Sequence, residues 1–375
     1  MIQADAERYM AEALKLARNG LYSASPNPRV GCVLVRQGQT VGRGWHMRTG
    51  APHAEVNALS EAGDRSAGAT AYVTLEPCSH RGLTPPCADA LVEAGVARVV
   101  AGMRDPDPRV SGRGLERLRS AGIAVEVGLL ETQCRALNRG FISRHERHRP
   151  WVTVKLAASL DGRTAMASGE SQWITSVSAR RDVQRLRARS DAIMTGIGTL
   201  LADDPSLNVR LSGKELGCSG EVRQPIRVVL DSEYKTPGSA TLFSLPGEIL
   251  IYGIKPQRDC GHGATRVRAA RVSVPAVNGR PALDAVMRDL ASRGINEVLV
   301  EAGATLVGAL IEAGLVDELV LYLAPHLMGS RARGLVHLAG VEQMADRIGL
   351  EWIDNRMVGQ DLRLTARVVR ASKAV

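Results

Sequence analysis

His53-Ala-Glu55, followed by Pro77-Cys78 and then by Cys87, are the residues of this 375-residue chain whose types and order carry the clearest chemistry. One imidazole and two thiolates fill three corners of a tetrahedral zinc site and leave the fourth for water, as in catalytic rather than structural zinc sites. Two thiolates nearly cancel the charge of the metal, so the water is acidified less than on an all-histidine site and needs a base beside it. Glu55 is the candidate for that base and proton shuttle.

The order His-x-Glu, Pro-Cys, Cys, with the Glu carrying protons and not binding metal, points to hydrolytic deamination. Each part alone is weak: His-x-Glu arises by chance, and Cys78 with Cys87 reads equally well as a disulfide or as two core thiols. Their surroundings add weight. Ala69 to Leu75 reads as a buried strand, Pro77 breaks it, and Cys87-Ala-Asp-Ala-Leu-Val-Glu-Ala has helical spacing ending at Gly95. Both thiols are therefore expected near helix N-termini, where the dipole and a metal favour the thiolate.

Around this motif the chain must supply a scaffold, and its length predicts two domains. Apolar residues make up 45%, with no uninterrupted apolar stretch of membrane-spanning length. The N-terminus, Met1-Ile-Gln-Ala-Asp, lacks the basic-then-apolar order of a secretion signal, so a cytoplasmic protein is expected. Cysteines at 32, 78, 87, 134, 218 and 260 are too sparse for a disulfide framework, and only 78 and 87 have metal-ligand spacing. The net charge of +9 suits nucleic acid or small anionic substrates, but aromatics are only 3% of the chain, too few for base-stacking platforms. Arg144-His-Glu-Arg-His-Arg149, the densest basic cluster, reads as a solvated linker face.

A helix from Ala6 to Arg18 opens the chain. Strands at Val30–Val35, Thr40–Trp45, Ala69–Leu75, Ala97–Ala101 and Ala124–Val127 then alternate with helices at His53–Ala62, Cys87–Ala94, Gly114–Ser120 and Glu131–Arg144. A break at Arg149-Pro150 precedes a second α/β series. Its strands are Trp151–Ala157, Asp191–Thr195, Ile226–Leu230, Ile249–Tyr252, Glu297–Val300 and Glu318–Leu323. Its helices are Ala179–Arg189, Leu283–Ser292 and Thr305–Glu312. Leu211–Gln224 and Lys255–Gly263 are polar and glycine-rich and read as exposed loops. In this half Thr195-Gly-Ile-Gly-Thr and Val300-Glu-Ala-Gly-Ala-Thr each join a strand to a helix start, where free amides and the helix dipole suit phosphate. Two such turns suggest a dinucleotide, although no Gly-x-Gly-x-x-Gly is present and a Rossmann dehydrogenase is disfavoured.

Over nearly its whole length the chain resembles the bifunctional riboflavin-biosynthesis deaminase-reductases. Ser25-Pro-Asn-Pro-Arg-Val-Gly, Pro52-His-Ala-Glu-Val-Asn-Ala-Leu, Val73-Thr-Leu-Glu-Pro-Cys-Ser-His and Thr84-Pro-Pro-Cys are similar to the deaminase motifs of that family. Lys155-Leu-Ala-Ala-Ser-Leu-Asp-Gly-Arg-Thr-Ala, Gly169-Glu-Ser-Gln-Trp-Ile-Thr, Leu201-Ala-Asp-Asp-Pro and Val300-Glu-Ala-Gly are similar to its reductase motifs. The resemblance implies a cytidine-deaminase-like α/β/α domain over residues 1–148 and a dihydrofolate-reductase-like α/β domain over residues 149–375. It also implies Zn2+ and NADPH as cofactors. The first domain would remove the 2-amino group of a phosphoribosylaminopyrimidine as ammonia. The second would reduce the ribose, opened to its imine, to a ribityl chain. A homo-oligomer is expected, with neither nucleic acid nor membrane as partner.

Carried over residue by residue, the resemblance makes His53, Cys78 and Cys87 the zinc ligands and Glu55 the shuttle. Asn27, His46 and His80 line the deaminase pocket, although on residue type alone Asn27 reads first as a turn residue and either histidine as a satisfied surface residue. Ala157, Trp173, Thr199, Asp203, Ser232 and the turn Gly303, Ala304, Thr305, Leu306, Val307, Gly308, Ala309 match NADPH contacts. Ser171, Arg187, Leu207, Arg210 and Glu301 match substrate contacts, and Lys155 and Asp161 are further polar candidates. Trp173 and Leu207 read equally as core. One departure stands out: Leu83 occupies a position that is usually basic in the family and suited to the substrate's phosphate, and Arg81 is a candidate substitute. A nucleic-acid deaminase is the competing reading, disfavoured by the eight residues between the cysteines and by the scarcity of aromatics. A non-catalytic binding protein is disfavoured by Glu55, which zinc does not need.

Overall fold

The structure, a computed structural model, describes residues 3–79, 85–218, 220–255 and 267–369. The chain divides into two compact units, Met1–His148 with Gly213–Val222, and Arg149–Ser212 with Arg223–Val375.

The first unit runs α1 (Gln3–Ala17), β1 (Gly31–Arg36), β2 (Gln39–Trp45), α2 (Ala54–Ala62), β3 (Thr70–Val73), α3 (Cys87–Glu93), β4 (Arg98–Ala101), α4 (Arg113–Ser120), β5 (Ala124–Val127), α5 (Glu131–Leu137) and α6 (Arg139–Arg147). Its sheet has the order β2-β1-β3-β4-β5. β1 is antiparallel to both neighbours, and β3, β4 and β5 are parallel. Alternation along β1 explains the layering, because successive side chains leave a strand on opposite faces. Cys32 and Leu34 pack with Ala54, Ala58, Leu91 and Leu115 of α2, α3 and α4. Val33 and Val35 pack on the other face with Met10 and Ala13 of α1 and with Cys134 and Ile142. The result is an α/β/α sandwich.

Gly42 and Gly44, two apart on β2, share one face. A Cβ there would lie 2.2 Å from the Ala58 carbonyl oxygen and 2.1 Å from that of Ala54. Only glycine lets α2 lie this close to the sheet, and that approach sets where the helix begins.

The second unit contains β6 (Trp151–Ser159), β7 (Arg163–Ala165), α7 (Val177–Arg189), β8 (Ala192–Gly196), α8 (Ile197–Asp203), β9 (Ile226–Leu230), β10 (Gly247–Gly253), β11 (Val267–Ser273), β12 (Ala276–Val277), β13 (Arg280–Pro281), α10 (Leu283–Ser292), β14 (Glu297–Val300), α11 (Ala304–Glu312), β15 (Glu318–Ala324), β16 (Arg333–Gly334), β17 (Gly349–Val358) and β18 (Asp361–Val369). The short helix α9 (Gly213–Leu216) falls in the segment that groups with the first unit. The large sheet has the order β11-β10-β9-β8-β14-β6-β15-β18-β17. Its first seven strands are parallel, and β18 and β17 close one edge antiparallel. Val152, Val154, Met194, Val228 and Val300 form the core with Val286, Leu290, Val307 and Leu310 of α10 and α11.

Several expectations need correction. Leu211–Gln224 is not a plain exposed loop, since it carries α9 and the Gln224 side chain bonds the Val209 backbone through both N–H and C=O. Most of Lys255–Gly263 lies outside the described residues. The Arg144–Arg149 cluster is a solvated face only in part: Glu146, Arg147 and His148 are exposed, but Arg144, His145 and Arg149 are not. Arg149 is buried and makes a bidentate pair with Asp317, at 2.8 and 2.7 Å. Arg144 is half-buried on α6 and lines a cavity described below.

Candidate active sites

In the first unit the close packing of α2 puts His53 at its N-cap and Glu55 in its first turn. Cys87 opens α3. Cys78 lies in the extended stretch after β3 rather than at a helix start of its own, yet its sulfur faces the N-terminus of α3: the Cys87 amide donates to Cys78 Sγ at 3.3 Å. His53 Nδ1 lies 3.2 Å from Cys87 Sγ and 3.6 Å from Cys78 Sγ, and all three donor atoms fall within 4.8 Å of one another. A tetrahedral zinc with bonds of about 2.0 Å to nitrogen and 2.3 Å to sulfur needs donor separations of roughly 3.5 to 3.8 Å. The donor set and its spacing fit that ion.

The electrostatics follow from burial. Glu55 is buried, and desolvation, reinforced by negative charge at Cys78, pushes its carboxyl up to about 7. Hydrogen bonding from the Cys87 thiol, opposed by burial and assisted by His53, holds Cys78 down at about 4. His46 is buried beside the trio, edge-on to His53 with ring centroids 5.1 Å apart. Its Nδ1 lies 3.2 Å from the Pro52 carbonyl and its Nε2 lies 3.1 Å from Asn27 Nδ2. The carbonyl can only accept, so Nδ1 donates and Nε2 accepts from the Asn27 amide. Burial pushes the His46 pKa down, consistent with this neutral tautomer. Asn27 is therefore more than a turn residue. With His46, His53, Glu55 and Cys78 it lines a cavity of about 350 Å³. His80, Arg81 and Leu83 lie outside the described residues.

In the second unit the two glycine-containing turns lie at the carboxyl ends of adjacent parallel strands, β8 and β14, where open α/β sheets bind ligands. The Gly303 amide donates to Thr199 Oγ1 at 3.1 Å, tying one turn to the other. Glu301 ends β14 and receives a bidentate pair from Arg187 of α7, at 2.6 and 3.0 Å, while Lys155 Nζ of β6 stands 4.0 Å away. Burial alone would raise the Glu301 carboxyl, but the two cations hold it below its usual value. Burial lowers Lys155, with Glu301 opposing.

These groups line a cavity of about 1630 Å³ that also reaches Ala157, Ser171, Trp173, Thr199, Asp203, Leu207, Arg210, Ser232, Gly303, Ala304, Thr305, Leu306 and Ala309. Trp173 is 69% exposed and carries Arg180 over its ring at 4.4 Å, so it is not core. Leu207 is both, packing with Ile193 and Leu299 while bounding the cavity. Three expected residues are not brought to the cavity. Val307 faces the core of the unit, because α11 turns that side to the sheet. Gly308 presses on the chain at His337, where a Cβ would meet the carbonyl oxygen at 1.7 Å. Asp161 instead accepts from the Ser159 hydroxyl and from the Met328 and Gly329 amides, holding one turn against another.

Comparison with known proteins decides what these sites belong to. Residues 3–103 match the family model of the cytidine and deoxycytidylate deaminase zinc-binding region, and residues 150–363 match that of the RibD C-terminal domain. The riboflavin biosynthesis protein RibD of Escherichia coli K12 is 52% identical over 363 residues, covering 96% of this chain and 98% of its own. That of Haemophilus influenzae is 46% identical, covering 95% and 96%. The chain belongs to the RibD family. Among solved structures, Acinetobacter baumannii RibD (form 1) is 42% identical with a TM-score of 0.88, covering 98% of this chain and 100% of that one. The Thermotoga maritima diaminohydroxyphosphoribosylaminopyrimidine deaminase/5-amino-6-(5-phosphoribosylamino)uracil reductase is 30% identical with a TM-score of 0.84, covering 98% and 99%. As a RibD-family member the chain is a bifunctional deaminase and reductase, with a zinc-binding deaminase region followed by a reductase region.

The deaminase cavity also contains residues that were not site candidates from the sequence: Glu76, inside one of the quoted motifs, and Asp105, Asp107, Arg109, Phe141 and Arg144 outside them. The Glu76 carboxylate accepts from the amides of Asp105, Gly112 and Gly114, at 3.2, 3.0 and 3.0 Å, and so folds the segment after β4 back over the Pro-Cys turn. The repeated Asp-Pro of Arg104-Asp-Pro-Asp-Pro-Arg is the signal in the sequence that could have marked this segment.

Proposed function

We propose that the first unit deaminates 2,5-diamino-6-(5-phosphoribosylamino)pyrimidin-4(3H)-one, and that the second reduces the product, 5-amino-6-(5-phosphoribosylamino)uracil, to its ribityl form with NADPH. The observation that carries the reading is a metal-ready His53/Cys78/Cys87 trio with the buried Glu55 in the same cavity. Zinc held there would supply a polarised water. Glu55, buried in the same cavity, would carry the proton to the departing amino group, the role of a positioned acid–base group. Asn27 and His46, locked to each other, orient the ring.

In the reductase NADPH supplies the hydride. The amides at the start of α11, with Thr199, Asp203 and Ser232, hold the cofactor, and its phosphates suit the helix N-terminus. Arg187, Arg210, Ser171 and Glu301 hold the phosphorylated sugar, and Lys155 lies beside its reacting end. The Thermotoga maritima relative is a diaminohydroxyphosphoribosylaminopyrimidine deaminase/5-amino-6-(5-phosphoribosylamino)uracil reductase, and the family membership of this chain supports the same substrates here.

No helix among the described residues is long and apolar enough to cross a membrane. The enzyme works in the cytoplasm, a placement supported by the free thiols of Cys32, Cys78, Cys87, Cys134 and Cys218. Small phosphorylated substrates, rather than nucleic acid, account for its positive charge. It is a homo-oligomer, a reading supported by the edge strand β17, which exposes Leu350, Trp352, Ile353 and Met357. The zinc-loaded protein, given the diaminopyrimidine without NADPH, should release ammonia and accumulate the uracil; adding NADPH should convert that to the ribityl compound. Accumulation of a reduced diaminopyrimidine before any ammonia appears would reverse the proposed order.

A further inference from the structure

The larger cavity crosses the carboxyl ends of four adjacent parallel strands, in the order β6, β14, β8 and β9. The two turns that suit phosphate follow β14 and β8, in the middle of that row, so a dinucleotide with its pyrophosphate there sends one arm toward β6 and the other toward β9. Lys155 of β6, with Arg187 and Glu301, marks the end where the sugar is reduced. The nicotinamide arm belongs at that end and the adenosine arm at the β9 end, about 14 Å away at roughly 4.8 Å per strand spacing. Leu230 and Leu283 give the β9 end an apolar surface for the adenine, and Ser232 adds a hydroxyl.

The rim of the β9 end is the hairpin β12–β13. Asn278 and Gly279, at φ of 50° and 71°, form its two-residue turn and set Arg280 opposite Val277. Backbone hydrogen bonds tie the hairpin to the ends of β9 and β10: the Ile254 amide donates to the Ser232 carbonyl at 3.1 Å, the Val274 amide to that of Gly253 at 2.9 Å, and the Ala282 amide to that of Pro275 at 2.8 Å. Arg280 thus lines the cavity from the side where the adenosine arm ends.

Six described cations line the cavity, and five of them belong to the other end. Lys155 and Arg187 pair with Glu301, Arg210 lies within reach of the charges of Arg187 and Glu301, Arg180 covers Trp173, and Arg333 sits on β16 opposite β7. Arg280 is the sixth, and among the described residues its side chain has no hydrogen-bond or ion-pair partner. Acids line the cavity as well: Asp203 and Asp204 lie at the end of α8, Glu312 accepts the Gly340 amide at 2.9 Å, and Asp284 is exposed in the first turn of α10. Recognition therefore turns on donors rather than on net charge. An ionised carboxylate has no proton to give a phosphate, whereas a guanidinium has N–H donors in a fork that matches phosphate oxygens.

We infer that Arg280 reads the 2′-phosphate of NADPH and so sets the preference of the reductase for NADPH over NADH. The inference rests on the reductase reading above.

The test is calorimetric binding of adenosine 2′,5′-bisphosphate and adenosine 5′-monophosphate to the full chain, alongside NADPH and NADH oxidation on the deaminated uracil. Wild type is compared with Arg280→Gln, Arg280→Lys and Arg288→Gln, the last at an exposed arginine of α10 that does not line the cavity. Arg280→Gln should weaken the bisphosphate roughly tenfold to a hundredfold, the range of a lost charge-assisted contact, and leave the monophosphate within about twofold of wild type. The ratio of kcat/KM for NADPH to that for NADH should fall by the same factor through KM, and Arg280→Lys should restore part of both losses. An unchanged affinity for the bisphosphate in Arg280→Gln would overturn the inference. So would an equal loss on both probes, since Arg280 would then shape the hairpin without meeting the phosphate, and an equal loss in Arg288→Gln, since a diffuse field would then suffice. A wild-type chain that oxidises neither dinucleotide would refute the reductase reading instead.

Discussion

At the scale of single residues, burial does most of the chemical work. Glu55 needs no metal contact to be useful; it needs to be dry and beside a site where protons change hands. Glu55→Gln keeps the shape and the neighbouring ligands, so zinc content should remain at one per chain while ammonia release falls roughly a hundredfold to ten-thousandfold, the usual worth of a positioned acid–base group. Metal analysis alongside the ammonia assay separates the two properties. Asp105 shows the cost of the same burial. Desolvation, with smaller contributions from nearby acidic charge, pushes its carboxyl up to about 7, whereas an unfolded chain releases that proton near pH 4. Between those pH values the folded state binds more protons than the unfolded, so stability falls as pH rises through the window and levels off above it. Asp105→Asn removes this slope. Its stability relative to wild type should therefore grow by roughly 4 kcal/mol between pH 4 and pH 8 in denaturant unfolding; parallel profiles would contradict the shift.

At the scale of elements, glycines place the chemistry. The absent side chains of Gly42 and Gly44 let α2 settle on β2, and α2 carries His53 and Glu55 at its start. Gly44→Ala pushes against the Ala54 carbonyl, one residue from both. It should cost about 1–3 kcal/mol, as overpacking does, and release zinc to a chelator faster than wild type does; unchanged stability and unchanged release would show that the helix position is not set here. Element by element, legibility in the sequence followed how local the signal was. The metal trio lies on three short stretches with strong strand, helix and proline cues, so its order in the chain is enough to pick it out. The Asp105–Arg109 segment reaches the same cavity only because β4 lies parallel beside β3 and Glu76 gathers its amides, a pairing no local pattern encodes. Arg144 reads as solvated because its neighbours are charged, although its own helix face turns to the cavity. β17 is not legible in the sequence because it is exposed along almost its whole length and lacks the alternation that a half-buried strand shows. Val307 and Gly308 match NADPH contacts by resemblance, while helical geometry turns them to the inside of the unit.

At the scale of the molecule, two sites of different chemistry occupy separate compact units of one chain. The metal-ligating trio lies wholly in the first, and every described residue lining the larger cavity lies in the second. Among the described residues the metal-ligand cluster lies outside the larger cavity, where Lys155, Arg187 and Glu301 pair with one another. Losing the metal should therefore silence one activity and spare the other. The direct measurement is to strip zinc with a chelator and follow ammonia release from the diaminopyrimidine and NADPH oxidation on the already deaminated uracil, before and after zinc is restored. Ammonia release should vanish and return with zinc, while NADPH oxidation stays within about twofold throughout; ammonia release that persists without zinc, or NADPH oxidation that falls with it in a chain that remains folded, would contradict the account.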